Sequence, residues 1–295
     1  MAASNWDPAI PEIPAKIISG VRVPHYYDLE WIEKMKNLKL RPDDIWVVSY
    51  PKCGTHWVMH IVRLILNRGK DDGKNIAEAV LWIESMHEGP PFHLQVNIDE
   101  LSSPRAFKSH FSYEVMPCGL PSQNPGKYIY VSRNPKDVAV SYWHHDRGYP
   151  HNPLLDWNQF FELFIQGKMK FGDYFDHILS WWAHKDDDNV LFLKYEDMKK
   201  DLPTAVASIA KFMGQDISQD LVDEIAHRST FANMKKDSSA DCKWVDKSRR
   251  PKEAGFLRKG EVGDWKNYFT PEQEARLDAV YKMRMKGTGL DFDFN

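Results

Sequence analysis

A strand, a turn of small residues and the start of a helix follow one another near residue 50, and this unit limits the possible folds more than any other stretch. The run Ile45-Trp46-Val47-Val48 is apolar and mostly β-branched, which is typical of a buried strand. Apolar residues then recur at helical spacing, so a helix is expected from Thr55 to about Asn67. Strands are predicted in the same way at residues 105–108, 127–131 and 189–193. Four strands with helices between them favour an open, largely parallel α/β sheet with helices on both faces.

The turn between this strand and helix has the composition of an anion-binding loop. A helix N-terminus offers unpaired N–H groups and a positive dipole end, and Gly54 lets the main chain approach a bound anion closely. Lys52 adds a full positive charge that can follow phosphate or sulfate oxygens. The order differs from the nucleotide P-loop G-x-x-x-x-G-K-[ST], because the lysine precedes the glycine. On spacing alone, an ordinary strand-to-helix connection stays open.

The segment YPKCGTHW, residues 50–57, resembles the 5′-phosphosulfate loop of the cytosolic sulfotransferases, whose usual form is YPKSGTTW. Further segments match the same family in the same order: Lys108-Ser109-His110, VSRNPKDVAVSYWHH from Val131 and LRKGEVGDWKNYFT from Leu257. The resemblance therefore covers nearly the whole chain. It implies one sulfotransferase domain over residues 1–295, which uses 3′-phosphoadenosine 5′-phosphosulfate (PAPS) as donor and no metal.

The resemblance also implies where the donor binds. The loop would hold the phosphosulfate, Trp57 and Phe231 would stack on the adenine, and Arg133 with Ser141 would hold the 3′-phosphate. A second clamp on that phosphate would come from the turn at Arg258. The expected donor-binding residues are Lys52, Cys53, Gly54, Thr55, His56, Trp57, Arg133, Ser141, Tyr195, Ser229, Phe231, Arg258, Lys259 and Gly260.

His110 follows a short predicted strand, at the carboxyl end where catalytic groups gather in open parallel sheets. An unperturbed pKa of about 6.5 suits a general base. In the family resemblance His110 is this base, while Lys52 stabilises the bridging oxygen of the leaving group and Lys108 the other sulfate oxygens. The acceptor pocket would be lined by Tyr27, Trp82, Met86, Lys108, His110 and His145.

Several residues depart from the family pattern. Cys53 stands for the usual serine and His56 for the usual second threonine, so a hydroxyl contact at position 56 would be lost. The dimerisation motif K-x-x-x-T-V-x-x-x-E begins at Lys266 but breaks at Pro271 and Ala275. A homodimer stays open, but this motif does not support the family's dimer.

Charge, cysteines and N-terminus indicate the kind of protein. The net charge of −3 argues against a general nucleic-acid binder. Three cysteines without C-x-x-C spacing favour free thiols in a reducing compartment. The polar, proline-rich N-terminus predicts neither a signal peptide nor a membrane anchor, so a cytoplasmic protein without membrane contact is expected.

The sequence also predicts one irregular segment and one mobile loop, and it contains one group of histidines that could be considered as a metal site. Residues 1–24 are expected to be irregular, and residues 237–260 are expected to form a mobile lid over the donor. His144, His145 and His151 lie close together around Asp146, but adjacent histidines of a helix point to different sides, so a metal site is not expected.

The predicted reaction is in-line transfer of a sulfuryl group to a hydroxyl or amine of a small, apolar or aromatic acceptor, without a covalent enzyme intermediate. One alternative is a magnesium- and ATP-dependent small-molecule kinase, which the missing Walker order disfavours. Another is a non-catalytic nucleotide carrier, which the set Lys52, Lys108 and His110 disfavours. A Golgi-type enzyme acting on glycans is disfavoured because no membrane anchor is predicted. The acceptor stays open among phenols, steroids, alcohols and amines.

Overall fold

The computed structural model describes residues 10–85, 97–120, 122–148, 152–240 and 256–295. Its strands are β1 (Ala15–Ile18), β2 (Val21–Pro24), β3 (Ile45–Val48), β4 (Leu81–Trp82), β5 (Ala106–Ser109), β6 (Lys127–Ser132) and β7 (Val190–Lys194). Its helices are α1 (Leu29–Lys36), α2 (Thr55–Leu66), α3 (Ile76–Ala79), α4 (Pro135–Arg147), α5 (Trp157–Ile165), α6 (Tyr174–Trp182), α7 (Tyr195–Lys200), α8 (Leu202–Met213), α9 (Gln219–Arg228), α10 (Phe231–Met234) and α11 (Pro271–Met285).

Five strands form one sheet in the order β4-β5-β3-β6-β7, with parallel neighbours throughout. Val48 of β3 lies level with Ser109 of β5 and with Tyr130 of β6. The carboxyl ends of these three strands therefore meet at one edge of the sheet. The expected α/β fold with a central parallel sheet is confirmed.

Alternate residues of the strands feed two cores, one on each face of the sheet. Trp46 and Val48 pack into the larger core together with residues of α4, α5, α6 and α11. Ile45 and Val47 pack into the second core with α2, α8 and α9. Because β3 is buried on both faces, it is apolar at every position rather than alternating.

Two parts of the prediction differ from the structure. Residues 15–24, expected to be irregular, form the antiparallel hairpin β1–β2. Its turn residues Ser19 and Gly20 have φ angles of 49° and 80°, and two successive positive angles are typical of a turn that matches strand twist. The sequence pattern also predicts a weak helix near Ile76 to Ile83, but α3 ends at Ala79, and Leu81 and Trp82 instead add β4 to the sheet edge.

A buried ion pair joins the amino ends of β3 and β5. Arg105 Nε donates to Asp44 Oδ1 over 2.7 Å, and its Nη2 donates to Asp44 Oδ2. The two side chains are 2% and 0% exposed. Since a two-pronged guanidinium–carboxylate pair fixes both groups in one geometry, it holds the two strands that carry the loop and His110 in register.

Two expectations fall on parts of the chain outside the described residues. Met86 lies there, and so do residues 241–255 of the predicted lid over 237–260. Within the described ranges, no helix has the length and apolar character needed to cross a bilayer.

Candidate active site

Each of the five parallel strands leads into a polar or aromatic residue at the same edge of the sheet. In spatial order along that edge, these residues are Glu84 after β4, His110 after β5, Lys52 after β3, Arg133 after β6 and Tyr195 after β7. The topology therefore places in one row residues that lie more than 100 positions apart in sequence, from Lys52 to Tyr195. This is the edge at which open α/β sheets bind their ligands.

The loop after β3 adopts a strained main chain. Lys52 has a φ angle of 73°, in the left-handed region that non-glycine residues rarely occupy. Gly54 has a φ angle of 114°, and a Cβ atom there would lie 2.9 Å from Cδ2 of Tyr195. The hydroxyl groups of Thr55 and Ser49 are 2.5 Å apart and close the loop. Only glycine fits at position 54, which leaves the N–H groups at the start of α2 to face a small anion.

The two departures from the family loop have different surroundings. Cys53 is completely buried in the larger core, and burial raises the pKa of its thiol. His56 Nε2 lies 2.5 Å from the main-chain oxygen of Ala240, which can only accept, so Nε2 carries the hydrogen. Burial lowers the pKa of His56 to about 4, which keeps the ring neutral. His56 therefore joins the first turn of α2 to the main chain at Ala240.

Aromatic rings and a glycine lie beside the loop on the β7 side. Trp57 Nε1 donates to the main-chain oxygen of Ser229 over 2.7 Å, and the Trp57 and Tyr195 rings are 5.1 Å apart. A Cβ atom at Gly260 would overlap the ring of Phe231. Of the residues expected around the adenine, Trp57 therefore contacts Ser229 and Tyr195, and Phe231 lies against Gly260.

Arg133 is held on several sides at the start of α4. Its guanidinium lies 4.3 Å from the centroid of the Tyr195 ring, and its Nη2 donates to the main-chain oxygen of Glu261 over 2.7 Å. Its Nε is buried and has no hydrogen-bond partner among the described residues. Because a buried, charged donor strongly prefers an acceptor, this Nε fits an anionic ligand such as a phosphate. Ser141 lies further along the same helix and is partly exposed.

The two cations of the expected second phosphate-binding turn, Arg258 and Lys259, both pair with one carboxylate. Arg258 Nη2 donates to Asp264 Oδ2 over 2.6 Å, and Lys259 Nζ donates to Asp264 Oδ1 over 2.5 Å. Despite partial burial, these two cations lower the pKa of Asp264 to about 2. The turn itself is fixed by Asp137 of α4, which accepts the Gly263 N–H over 2.8 Å. Arg258 and Lys259 therefore belong to the same turn as Glu261, which Arg133 contacts, but they are paired with Asp264 rather than unopposed.

His110 is held by its ring and by its main chain. Ring atom Nδ1 lies 2.9 Å from the main-chain oxygen of Ser49, so Nδ1 carries the hydrogen and Nε2 keeps its lone pair. Its N–H donates to Glu84 Oε1 over 2.6 Å. Burial, and next the positive charge of Lys108, hold the pKa of His110 well below 6.5. A neutral ring with an unprotonated Nε2 can accept a proton at neutral pH.

Aromatic rings surround His110 and the two lysines. The His110 ring lies 5.5 Å from Phe171 and 6.1 Å from Trp82, edge to face. Lys108 Nζ is 3.6 Å from the centroid of the Trp82 ring. Tyr27 contacts Phe171 at 6.1 Å, so it belongs to the same aromatic group. This apolar wall beside a neutral histidine suits a flat, apolar molecule.

The neighbouring histidines of α4 serve separate contacts. His144 Nε2 lies 2.9 Å from the hydroxyl oxygen of Tyr268, whereas the His145 ring lies 5.9 Å from that of Phe256. Lys52 Nζ is 4.9 Å from the same Phe256 ring, which places His145 near the loop. Among the residues described, no three histidine, cysteine, aspartate or glutamate side chains are grouped as metal ligands.

Several residues of the site were not predicted from the sequence. Glu84, Phe171, His177, Phe256 and Asp264 all contact predicted site residues. Asp264 lies inside the matched segment from Leu257, which could have drawn attention to it. His177 lies in an aromatic stretch that looks like plain core, and nothing in the sequence marks it.

Comparison with known proteins gives a consistent family. The family model for the sulfotransferase domain matches residues 42–289. An amine sulfotransferase of Oryctolagus cuniculus is 38% identical over 276 residues, which are 90% of this chain and 88% of that protein. Sulfotransferase 1B1 of Mus musculus is 35% identical over 286 residues, which are 94% of each chain.

Solved structures agree with these sequence matches. Mouse sulfotransferase SULT7A1, solved with PAP, is 32% identical with a TM-score of 0.74, covering 92% of this chain and 94% of that one. Retinol dehydratase, solved with androsterone and inactive cofactor PAP, is 26% identical with a TM-score of 0.83, covering 95% and 92%.

Proposed function

The chain belongs to the sulfotransferase family, and from that membership we propose that it transfers a sulfuryl group from PAPS to a hydroxyl or amine of a small, apolar or aromatic acceptor. His110 is the general base of this reaction. The observation that carries the proposal is the hydrogen bond from His110 Nδ1 to the Ser49 oxygen, because it leaves Nε2 as the proton acceptor.

The described residues fit the donor. When bound, PAPS supplies the sulfuryl group. Its product PAP is bound in the two solved relatives described above. The N–H groups at Gly54 and Thr55 suit its 5′-phosphosulfate. The Nε of Arg133, which has no hydrogen-bond partner within the described ranges, suits its 3′-phosphate, and the rings of Trp57 and Phe231 suit its adenine.

The site residues divide the chemistry among them. Nε2 of His110 takes the acceptor's proton as the acceptor oxygen or nitrogen attacks. Lys52, at the strained position of the loop, would supply a cation for the negative charge that PAP carries away as its bond to the sulfuryl group breaks, and Lys108 supplies a second cation near the base. Burial lowers the pKa of His110 most, and both charges lower it further, so the residues that stabilise negative charge also help to keep the base deprotonated.

Acceptor selectivity follows from the aromatic wall. Trp82, Phe171 and Tyr27 surround His110 with apolar surface, which favours phenols, steroids and hydrophobic alcohols or amines over sugars. A panel in which only sugars accept sulfate would contradict this part of the proposal.

The oligomeric state is a separate proposal. Pro271 begins α11, and the Thr270 hydroxyl accepts the N–H of Gln273 over 3.2 Å as a helix cap. We propose that this segment does not form the family's dimer, because Pro271 and Ala275 replace the motif's valine and glutamate. Light scattering tests this: a monomer, or a dimer unaffected by Lys266→Glu, supports it, and a dimer lost in that variant contradicts it.

The test of function is sulfate transfer from radiolabelled PAPS to phenols, steroids, aliphatic alcohols, amines and sugars without added magnesium. Wild type and His110→Ala are compared, and PAP binding is measured for both. Transfer that collapses in His110→Ala while PAP still binds supports the proposal. PAP binding without transfer to any acceptor indicates the non-catalytic carrier. Binding of neither PAP nor PAPS contradicts the assignment of the donor, and ATP with magnesium is then tested as the kinase donor.

A further inference from the structure

His177 is a buried histidine that the proposed chemistry does not use. It lies on α6 and is 2% exposed. Its ring is enclosed by Tyr50, edge to face at 5.4 Å, and by Tyr130 at 5.8 Å. A polar ring in an aromatic core is costly unless both of its nitrogens are hydrogen-bonded.

Both nitrogens of His177 have partners, and the partners fix its tautomer. Nε2 lies 3.0 Å from the main-chain oxygen of His110, which can only accept, so Nε2 carries the hydrogen. Nδ1 lies 2.9 Å from the hydroxyl of Tyr130, which therefore donates to it. Burial lowers the pKa of His177 to about 4, so the ring stays neutral and this arrangement persists at neutral pH.

These contacts complete a three-point attachment of His110. Its N–H donates to Glu84, its ring Nδ1 donates to the Ser49 oxygen, and its carbonyl oxygen accepts from His177. The first contact is made by Glu84, which follows β4, and the second by Ser49, which follows β3. The third comes from α6, on the face of the sheet where the larger core lies.

We propose that His177 is a positioning residue for the base: through the carbonyl oxygen of His110 it fixes the main chain so that Nδ1 of His110 reaches Ser49 and Nε2 stays unprotonated. Tyr130 assists by holding the tautomer of His177 that donates. The effect on turnover rests on the proposed function, whereas the effect on the His110 ring does not.

A purely structural role for His177 predicts different behaviour. A satisfied core histidine would, when replaced, lower stability without changing the ring state of His110. A positioning residue changes the ring state and the turnover number more than it changes PAP binding. The test therefore needs a variant that keeps the donor, a variant that removes it, and a neighbour that affects only packing.

The variants are His177→Gln, His177→Leu and Ile178→Val. Glutamine keeps an N–H donor at about the place of Nε2, and leucine removes it. Ile178→Val shortens the next residue of α6, which is also buried, and changes no hydrogen-bonding group. Long-range ¹⁵N spectra of histidine-labelled protein report the tautomer of His110, assigned with His110→Gln. Turnover, acceptor KM and PAP affinity are measured on the same samples, below their unfolding temperatures.

The expected result is a single Nδ1–H tautomer of His110 in wild type, His177→Gln and Ile178→Val, and a mixture in His177→Leu. His177→Leu is expected to lose about 10- to 100-fold in kcat, since a small misplacement of a catalytic group has effects of that size, with PAP affinity within about twofold. His177→Gln is expected to restore most of kcat.

Other outcomes overturn one proposal or the other. An unchanged His110 tautomer in His177→Leu overturns the positioning role, as does equal loss of kcat in His177→Gln and His177→Leu. If the tautomer changes as expected but wild type transfers no sulfate to any acceptor, the positioning contact stands and the proposed function fails.

Discussion

The ring of His110 donates its Nδ1 hydrogen to the main-chain oxygen of Ser49, the residue directly before the donor loop, over 2.9 Å. This bond joins the carboxyl ends of β5 and β3, the neighbouring strands that carry the proposed base and the proposed donor loop. Any displacement of the loop is therefore transmitted to the base, and the tautomer of the base depends on a main-chain atom that substitution cannot remove.

His110→Asn tests the base without removing its hydrogen bond. The asparagine amide can still donate to Ser49 from about the place of Nδ1, but it cannot take a proton. We expect kcat to fall by about 10²- to 10⁴-fold, the usual contribution of general-base catalysis, with PAP affinity unchanged within about twofold. Rapid-quench sulfate transfer and calorimetry measure the two quantities. A kcat within tenfold of wild type would show that His110 is not the base.

Activity should extend to lower pH than an ordinary histidine base allows. Burial and the charge of Lys108 lower the pKa of His110, so the ring stays unprotonated while the pH falls through 6.5. We expect kcat/KM to be level through that region and to decline only in more acidic solution. In Lys108→Met the acid limb should move to higher pH, because one of the lowering charges is gone. An acid limb that does not move in Lys108→Met contradicts this account, whatever the change in absolute rate.

Arg133→Lys tests the phosphate site. Lysine keeps the charge but loses the planar fork, the stack on Tyr195 and the buried Nε. We expect PAP affinity to fall by about 10- to 100-fold, which corresponds to one or two lost charge-assisted hydrogen bonds. Arg276→Lys is the matched control, because that arginine pairs with Glu162 at a partly exposed position. Equal affinity of both variants for PAP would place the phosphate elsewhere.

His56→Thr restores the residue usual in the family. The substitution removes the bond to Ala240 and supplies a hydroxyl in the first turn of α2. We expect PAP to bind about three- to tenfold more tightly, the usual net effect of one added hydrogen bond. The control is His56→Gln, which keeps an N–H donor for Ala240 and adds no hydroxyl. Weaker PAP binding in His56→Thr than in His56→Gln would mean that the tie to Ala240 matters more than the hydroxyl.

Acid should destabilise the fold in a defined window. Burial lowers the pKa values of His56, His60 and His177 to about 4, below the value of about 6.5 in an unfolded chain. Between these values the unfolded state binds protons that the folded state does not, so the free energy of unfolding decreases as the pH falls from 6.5 to about 4. Asp264, with a pKa of about 2, contributes only below this window.

The size of this effect can be measured for one residue. His177, which is almost completely buried, contributes up to about 3 kcal/mol of pH dependence across the window. Urea unfolding at about pH 7 and about pH 5 should show a smaller difference for His177→Gln than for wild type. An equal pH dependence of both proteins would contradict the lowered pKa of His177.

The parts of the fold that were predicted are those with a strong local pattern. The buried run at β3 and the aromatic run at β6 are visible in sequence because each strand carries its own apolar pattern. The two-residue strand β4 cannot show a period. The β1–β2 hairpin was missed because its turn depends on the positive φ angle of Ser19, which composition does not reveal.

The site was predicted where chemistry coincides with a strand end. The loop at Lys52, the base at His110 and the arginine at Arg133 each follow a predicted strand, so sequence position already indicates the edge of the sheet. The pairing of Arg258 with Asp264 and the support of His110 by His177 are tertiary contacts. Such contacts join side chains to partners, one of them a main-chain oxygen, that no local pattern identifies.

The order of the strands has a consequence for how this protein can change over time. Trp82 of β4 and His110 after β5 are proposed acceptor contacts, Arg133 after β6 and Tyr195 after β7 are proposed donor contacts, and β3 lies between the two pairs of strands. Substitutions at Trp82 can therefore reshape one side while Tyr195 and Arg133 on the other stay as they are. Evolution toward new acceptors, or laboratory selection for them, can therefore act on one half of the sheet while the proposed donor-binding residues stay unchanged.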